Sequence, residues 1–141
     1  MSPKVWYRVA SILLILFALG HQVGFQQVDP DWHAGAVVAG MRGVHFHVQG
    51  FDRSYWDFFS GFGYFVTILL LFAAVLAWQL GGLPKDSPAT LSVVRWSFAF
   101  AFAVITWITW RFFFVAPLLF SALALFCLVM GAWSAARQIA A

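Results

Sequence analysis

The chain has 141 residues, of which 63% are hydrophobic and 9% charged, with a mean hydropathy of +0.87. A soluble domain carries about 25% charged residues, so this composition excludes one and assigns an integral membrane protein. The net charge of +3 comes from eight Lys and Arg scattered along the chain; affinity for nucleic-acid phosphate needs clustered cations, so that partner is excluded as well.

A bilayer core of about 30 Å needs about 20 apolar residues per helix, and the chain offers four such runs. The first covers residues 4–23, "KVWYRVASILLILFALGHQV", with Ser2 as a cap and Pro3 at the first helical position. A signal peptide is the less favoured alternative: the start is basic, but no small-x-small cleavage site follows and His21 and Gln22 fit such a segment poorly. An outer loop follows, residues 24–53. Within it Asp29-Pro30 reads as the start of a short surface helix over 30–41, closed by Gly40 and Gly43. The second run covers 55–80, where Ser54 and Asp57 have the spacing of a capping box and Gly81, Gly82 and Pro84 act as stops. The third covers 88–112, with Ser87 as N-cap and Pro88 next. The fourth covers 117–133; the join "RFFFVAP" is short enough to make the last two helices an antiparallel hairpin. The expected fold is all-α, a single four-helix transmembrane bundle over residues 1–141 with one sizeable outer loop.

Orientation follows from Lys and Arg. Lys4, Arg8, Lys85, Arg95 and Arg137 fall on one side, and Arg42, Arg53 and Arg111 on the other. Both termini are therefore expected in the cytoplasm. Trp6, Trp78, Trp96 and Trp133 fall at the inner interface, and Trp32, Trp56, Trp107 and Trp110 at or near the outer one.

Chemistry concentrates at the outer end. Antiparallel helices should bring His21, Arg53, Asp57 and Arg111 within about two helical turns of one level, with His45, His47 and Gln49 tethered nearby. Each has a bland reading. Asp57 caps a helix, Arg53 and Arg111 snorkel to headgroups, and Gly20, Gly24, Gly61 and Gly63 let helices approach. His21 is the hardest to dismiss, because an ionisable residue in a span usually faces a cavity or a partner. Asp57 is the expected partner, directly or through one water.

Several cofactor chemistries fall away. The lone Cys127 cannot form an internal disulfide, which argues against a thiol–quinone oxidoreductase. His45 and His47 share one side of an extended segment, and His33, Asp31 or His21 could complete a set. Zinc needs three or four ligands, however, so no tightly held metal is expected there. Bis-histidine haem needs a facing pair of His within the spans, and only His21 is in one. A proton-coupled exporter wants a mid-membrane carboxylate, and the chain has no Glu and no Asp at mid-span.

The segments "LFALGHQVGF" (16–25), "AVVAGMRGVHF" (36–46) and "GFDRSYWDFFSGFGYF" (50–65) resemble a group of small bacterial four-helix membrane proteins without assigned activity, loosely similar to the DoxX-like proteins. The resemblance covers about the first 80 residues well and the rest by hydropathy alone. It implies a bacterial inner-membrane location and marks Gly20, His21, Met41, Arg53, Trp56, Asp57, Gly61, Phe62 and Gly63 as characteristic positions. It transfers no activity.

Three functions compete. The leading one is an outward-facing pocket for a small amphipathic or lipidic ligand, with His21, Gln22, Arg53, Trp56, Asp57 and Arg111 at its polar lip and aromatic residues below. The second is enzymatic, with His21 oriented by Asp57 as general acid/base on a lipid or quinone-like substrate. The third is an accessory subunit whose exposed grooves bind another membrane protein; a homo-oligomer is the alternative protein partner. The expected partners are the lipid bilayer and a lipidic small molecule; no cofactor is expected.

Overall fold

The computed structural model describes residues 1–84 and 90–139. Four long apolar helices carry the chain: α1 (Pro3–Gly24), α3 (Tyr55–Gly82), α4 (Thr90–Phe112) and α5 (Val115–Ile139). Each is long and apolar enough to cross a bilayer, and the protein is a multi-pass four-helix membrane bundle. The connection before α3 holds α2 (Gly35–Gly43) and a hairpin of β1 (His45–Val48) and β2 (Phe51–Ser54). The expected N-cap Ser87, the following Pro88 and the cation Lys85 lie outside the described residues.

Pro3 opens α1, and the Ser2 carbonyl accepts from the Val5 and Trp6 amides at 3.1 and 3.4 Å. α5 starts two residues before Pro117 and runs to Ile139, past the apolar stretch. "SAARQ" supplies good helix formers there, so helix outlasts hydropathy. The chain forms two compact units, Met1–Phe17 with Leu70–Ala141, and Ala18–Leu69.

In the first unit small residues let helices come close, as packing without a hydrophobic driving force requires. Ala10, Ala74, Ala77, Ala124 and Ala132 are all buried. Tyr7 is 0% exposed. Its ring lies 2.9 Å from where a Cβ on Gly131 would stand, and its own Cβ 3.1 Å from one on Gly81. Both positions are open only because they are glycine. The Ser11 hydroxyl donates to the Ala74 carbonyl at 2.8 Å. Thr109 and Ser121 share a buried hydroxyl–hydroxyl bond of 2.9 Å across the α4–α5 hairpin.

The second unit holds the remainder of α1, the connection and the start of α3. The expected helix over 30–41 resolves into two pieces. Asp29 accepts from the Asp31 amide and caps a 3₁₀ turn at Pro30–Trp32. His33, at φ 52, ends that turn, and α2 begins afresh at Gly35. The β-hairpin was not expected. Its turn is Gln49-Gly50, with φ of 51 and 84. Two successive left-handed residues make the tight turn whose twist suits a hairpin. Gly takes that conformation freely and Gln does not, so the signal in sequence is weak.

Much of the apolar side-chain surface faces outward. Only 17% of the most apolar 18-residue window of α3 is buried within the chain. Phe65, Ile68, Leu69 and Phe72 are all exposed, the arrangement a lipid-facing helix requires.

Candidate functional site

Asp57 sits in the first turn of α3 and serves the helix itself. Its Oδ2 accepts from the Ser54 amide at 2.8 Å and from the Ser54 hydroxyl at 2.9 Å. The Ser54 Oγ accepts from the Asp57 amide at 3.2 Å. This is the reciprocal capping box that the spacing suggests.

His21 does not pair with Asp57. Its Nδ1 lies 3.0 Å from the Thr67 Oγ1. The same oxygen is 3.1 Å from the Gln22 Oε1 and 3.2 Å from the Gly63 carbonyl. The cause is the length of α3. Its 28 residues measure about 42 Å at a 1.5 Å rise, against a hydrocarbon core of about 30 Å. His21, in the last turn of α1, is therefore level with a residue about 15 Å along α3 from Asp57.

The contacts around Thr67 favour one assignment of roles. A threonine hydroxyl has one hydrogen. The two carbonyl oxygens can only accept, so that hydrogen goes to one of them. In that arrangement the imidazole donates its Nδ1–H to Thr67, which leaves Nε2 as an acceptor. Nε2 has no hydrogen-bond partner among the described residues, and His21 is half-buried. Aromatic rings surround it. Phe25 stacks on the imidazole at 5.2 Å, and Tyr64 meets Phe25 edge-on at 5.4 Å. Gln26 donates to the Tyr64 hydroxyl at 2.9 Å. A Cβ on Gly63 would overlap the Phe25 ring, so this glycine admits that ring. An added Cβ at Gly20, Gly24 or Gly61 meets nothing; of the four glycines read as close-approach positions, Gly63 is the one that is.

The other expected site residues lie elsewhere. Arg53 donates to the Asp52 carbonyl at 2.7 Å, and its guanidinium lies 5.1 Å from the Phe51 ring. Trp56 packs on Phe59 and takes the Arg42 guanidinium 4.5 Å above its ring. Asp52 holds the loop histidines, with its Oδ1 3.4 Å from His45 Nδ1 and 3.8 Å from His47 Nδ1. No group of three His, Cys, Asp or Glu among the described residues is placed to hold a metal ion. Arg111 belongs to the first unit, at the end of α4, with its guanidinium 5.4 Å from the Phe112 ring.

The cluster that forms is thus His21, Gln22 and Thr67 with Phe25, Gly63 and Tyr64. Thr67 had one signal in the sequence: it is the only polar residue between Phe65 and Ala77. Compared with protein-family models, curated proteins and solved structures, the chain matches none of them.

Proposed function

We propose that the protein binds a small amphipathic ligand, entering from the bilayer, whose hydroxyl or similar donor meets His21 Nε2. The carrying observation is the acceptor nitrogen held out by the Thr67 bond, half-buried in a membrane span and without a partner among the described residues. An unpaired polar atom in hydrocarbon is costly. A ligand that donates one hydrogen bond and lays apolar surface on Phe25 and Tyr64 removes that cost. Binding is favoured over acid–base catalysis because a hydroxyl, not a carboxylate, orients the imidazole, and a hydroxyl does not stabilise an imidazolium.

The test is organic extraction and mass spectrometry of material co-purifying with wild type and with His21→Leu. One hydroxyl-bearing amphiphile should be enriched in wild type and fall by about tenfold in the variant, as one lost hydrogen bond of about 1.4 kcal/mol implies. Identical extracts refute the proposal.

The proposed setting is a bacterial inner membrane, as the resemblance to DoxX-like four-helix proteins suggests. The Lys and Arg distribution supports cytoplasmic termini. Reporter fusions at Gly50 and Ala141 should report the periplasm and the cytoplasm respectively. The same compartment for both, or the reverse assignment, overturns the topology.

A further inference from the structure

A second site lies in the first unit, at the end of the helices that includes the N-terminus. A cavity of about 350 Å³ opens there. Pro3, Leu80 and Leu83 contribute apolar wall, and Lys4, Arg95 and Gln138 contribute polar wall. Arg95 lies in the second turn of α4 and is 6% exposed. Its Nε has no hydrogen-bond partner among the described residues, and none of their carboxylates forms an ion pair with it.

A guanidinium stays charged at any physiological pH. A buried, unpaired charge is strongly destabilising, so it is retained only where something meets it. A third cation, Arg8, lies beside the wall at Gly82. Arg8 Nη2 lies 3.7 Å from where a Cβ on Gly82, a wall residue, would stand. Its Nη1 is also buried without a partner among the described residues. Its guanidinium lies 3.2 Å over the Trp78 ring, which fixes its direction.

Two cations in the wall of a half-apolar cavity at the end of a membrane helix, with a third beside that wall, match one chemistry. A phosphate group offers several acceptor oxygens to arginine forks and carries the charge they lack. The apolar wall of Leu80, Leu83 and Pro3 suits the first carbons of an acyl glycerol. We propose that this cavity binds a phosphate-bearing anion, with Arg95 as its buried anchor, Lys4 in its wall and Arg8 beside it at Gly82. A phospholipid headgroup and free phosphate share that chemistry. The site is independent of His21, which lies in the other unit.

The test is thermal unfolding of the full chain in neutral detergent, with dioleoyl phosphatidylglycerol, dioleoyl phosphatidylcholine or inorganic phosphate added. At about a hundredfold excess over Kd, a specific ligand should raise Tm by about 9 °C. A shift with phosphatidylglycerol but not with phosphatidylcholine or phosphate supports the headgroup as source; a shift with inorganic phosphate supports a free anion. Arg95→Met should abolish the shift. Gly82→Leu, which fills the cavity while leaving Arg95 in place, should do the same and decides the matter if Arg95→Met does not fold. No shift in wild type with either anion, an equal shift with phosphatidylcholine, or an equal shift in both variants overturns the proposal.

Discussion

Tyr7→Ala should destabilise the protein by about 3–5 kcal/mol, the range for deleting a fully buried aromatic ring. Tyr7 is 0% exposed and fills a slot whose walls are Gly81 and Gly131. Glycine has no side chain to swing into the vacated space, so the hole persists, and the cost of a core deletion rises with the cavity left behind. The ring, not the hydroxyl, carries the effect. The Tyr7 hydroxyl is buried without a hydrogen-bond partner among the described residues. Such a group has lost its water and made no hydrogen bond in exchange, so removing it is neutral or favourable. Tyr7→Phe should therefore match wild type or gain about 1 kcal/mol. Denaturant titration in detergent separates the two variants. Equal losses in both would mean that the hydroxyl is bonded and that packing is not the main contribution.

The sequence and the structure agree where the physics is local or one-dimensional. A run of apolar residues as long as the bilayer is thick has few other places to be, so the four helices are legible from hydropathy. The Ser54–Asp57 box is legible because it needs only three residues of spacing. The His21 partner is a different kind of question, since it depends on where one helix sits along another. The aromatic opening of α3, "YWDFFSGFGYF", is apolar enough to pass as the start of the span. Its first turns nevertheless lie beyond the level of His21, and the register shifts from Asp57 to Thr67. The hairpin was obscured for a related reason. Its turn asks Gln49 to adopt φ 51, a conformation glutamine seldom takes, and the cross-strand pairing that offsets the strain, His47 opposite Asp52 and Phe46 opposite Arg53, is visible only once the strands meet.

Thr67→Val tests the register of the His21 site most directly. The substitution keeps shape and volume and removes one oxygen. That oxygen lies 3.0 Å from His21 Nδ1, 3.1 Å from Gln22 Oε1 and 3.2 Å from the Gly63 carbonyl. The Gly63 carbonyl still has its helical bond, but the imidazole loses its acceptor in a setting where water is scarce. Hydrogen bonds between membrane helices are worth about 0.6 kcal/mol on average and up to about 1.7. With the His21 link broken and the Gln22 oxygen left beside a methyl group, a loss of about 1–2 kcal/mol in detergent unfolding is expected. Thr67→Ser, which keeps the hydroxyl, should stay close to wild type. Stability alone would not distinguish this site from any interhelical polar contact, so the imidazole itself is the second readout. In wild type, nitrogen-15 spectra of His21 should show the proton on Nδ1. In Thr67→Val nothing holds it there, and the Nε2–H tautomer should become dominant. The proposed ligand then meets a donor where it needs an acceptor, and its retention should fall as far as in His21→Leu. A Thr67→Val protein with wild-type stability and an unchanged tautomer would mean that His21 is oriented by something other than α3, and the binding proposal would lose its geometric basis.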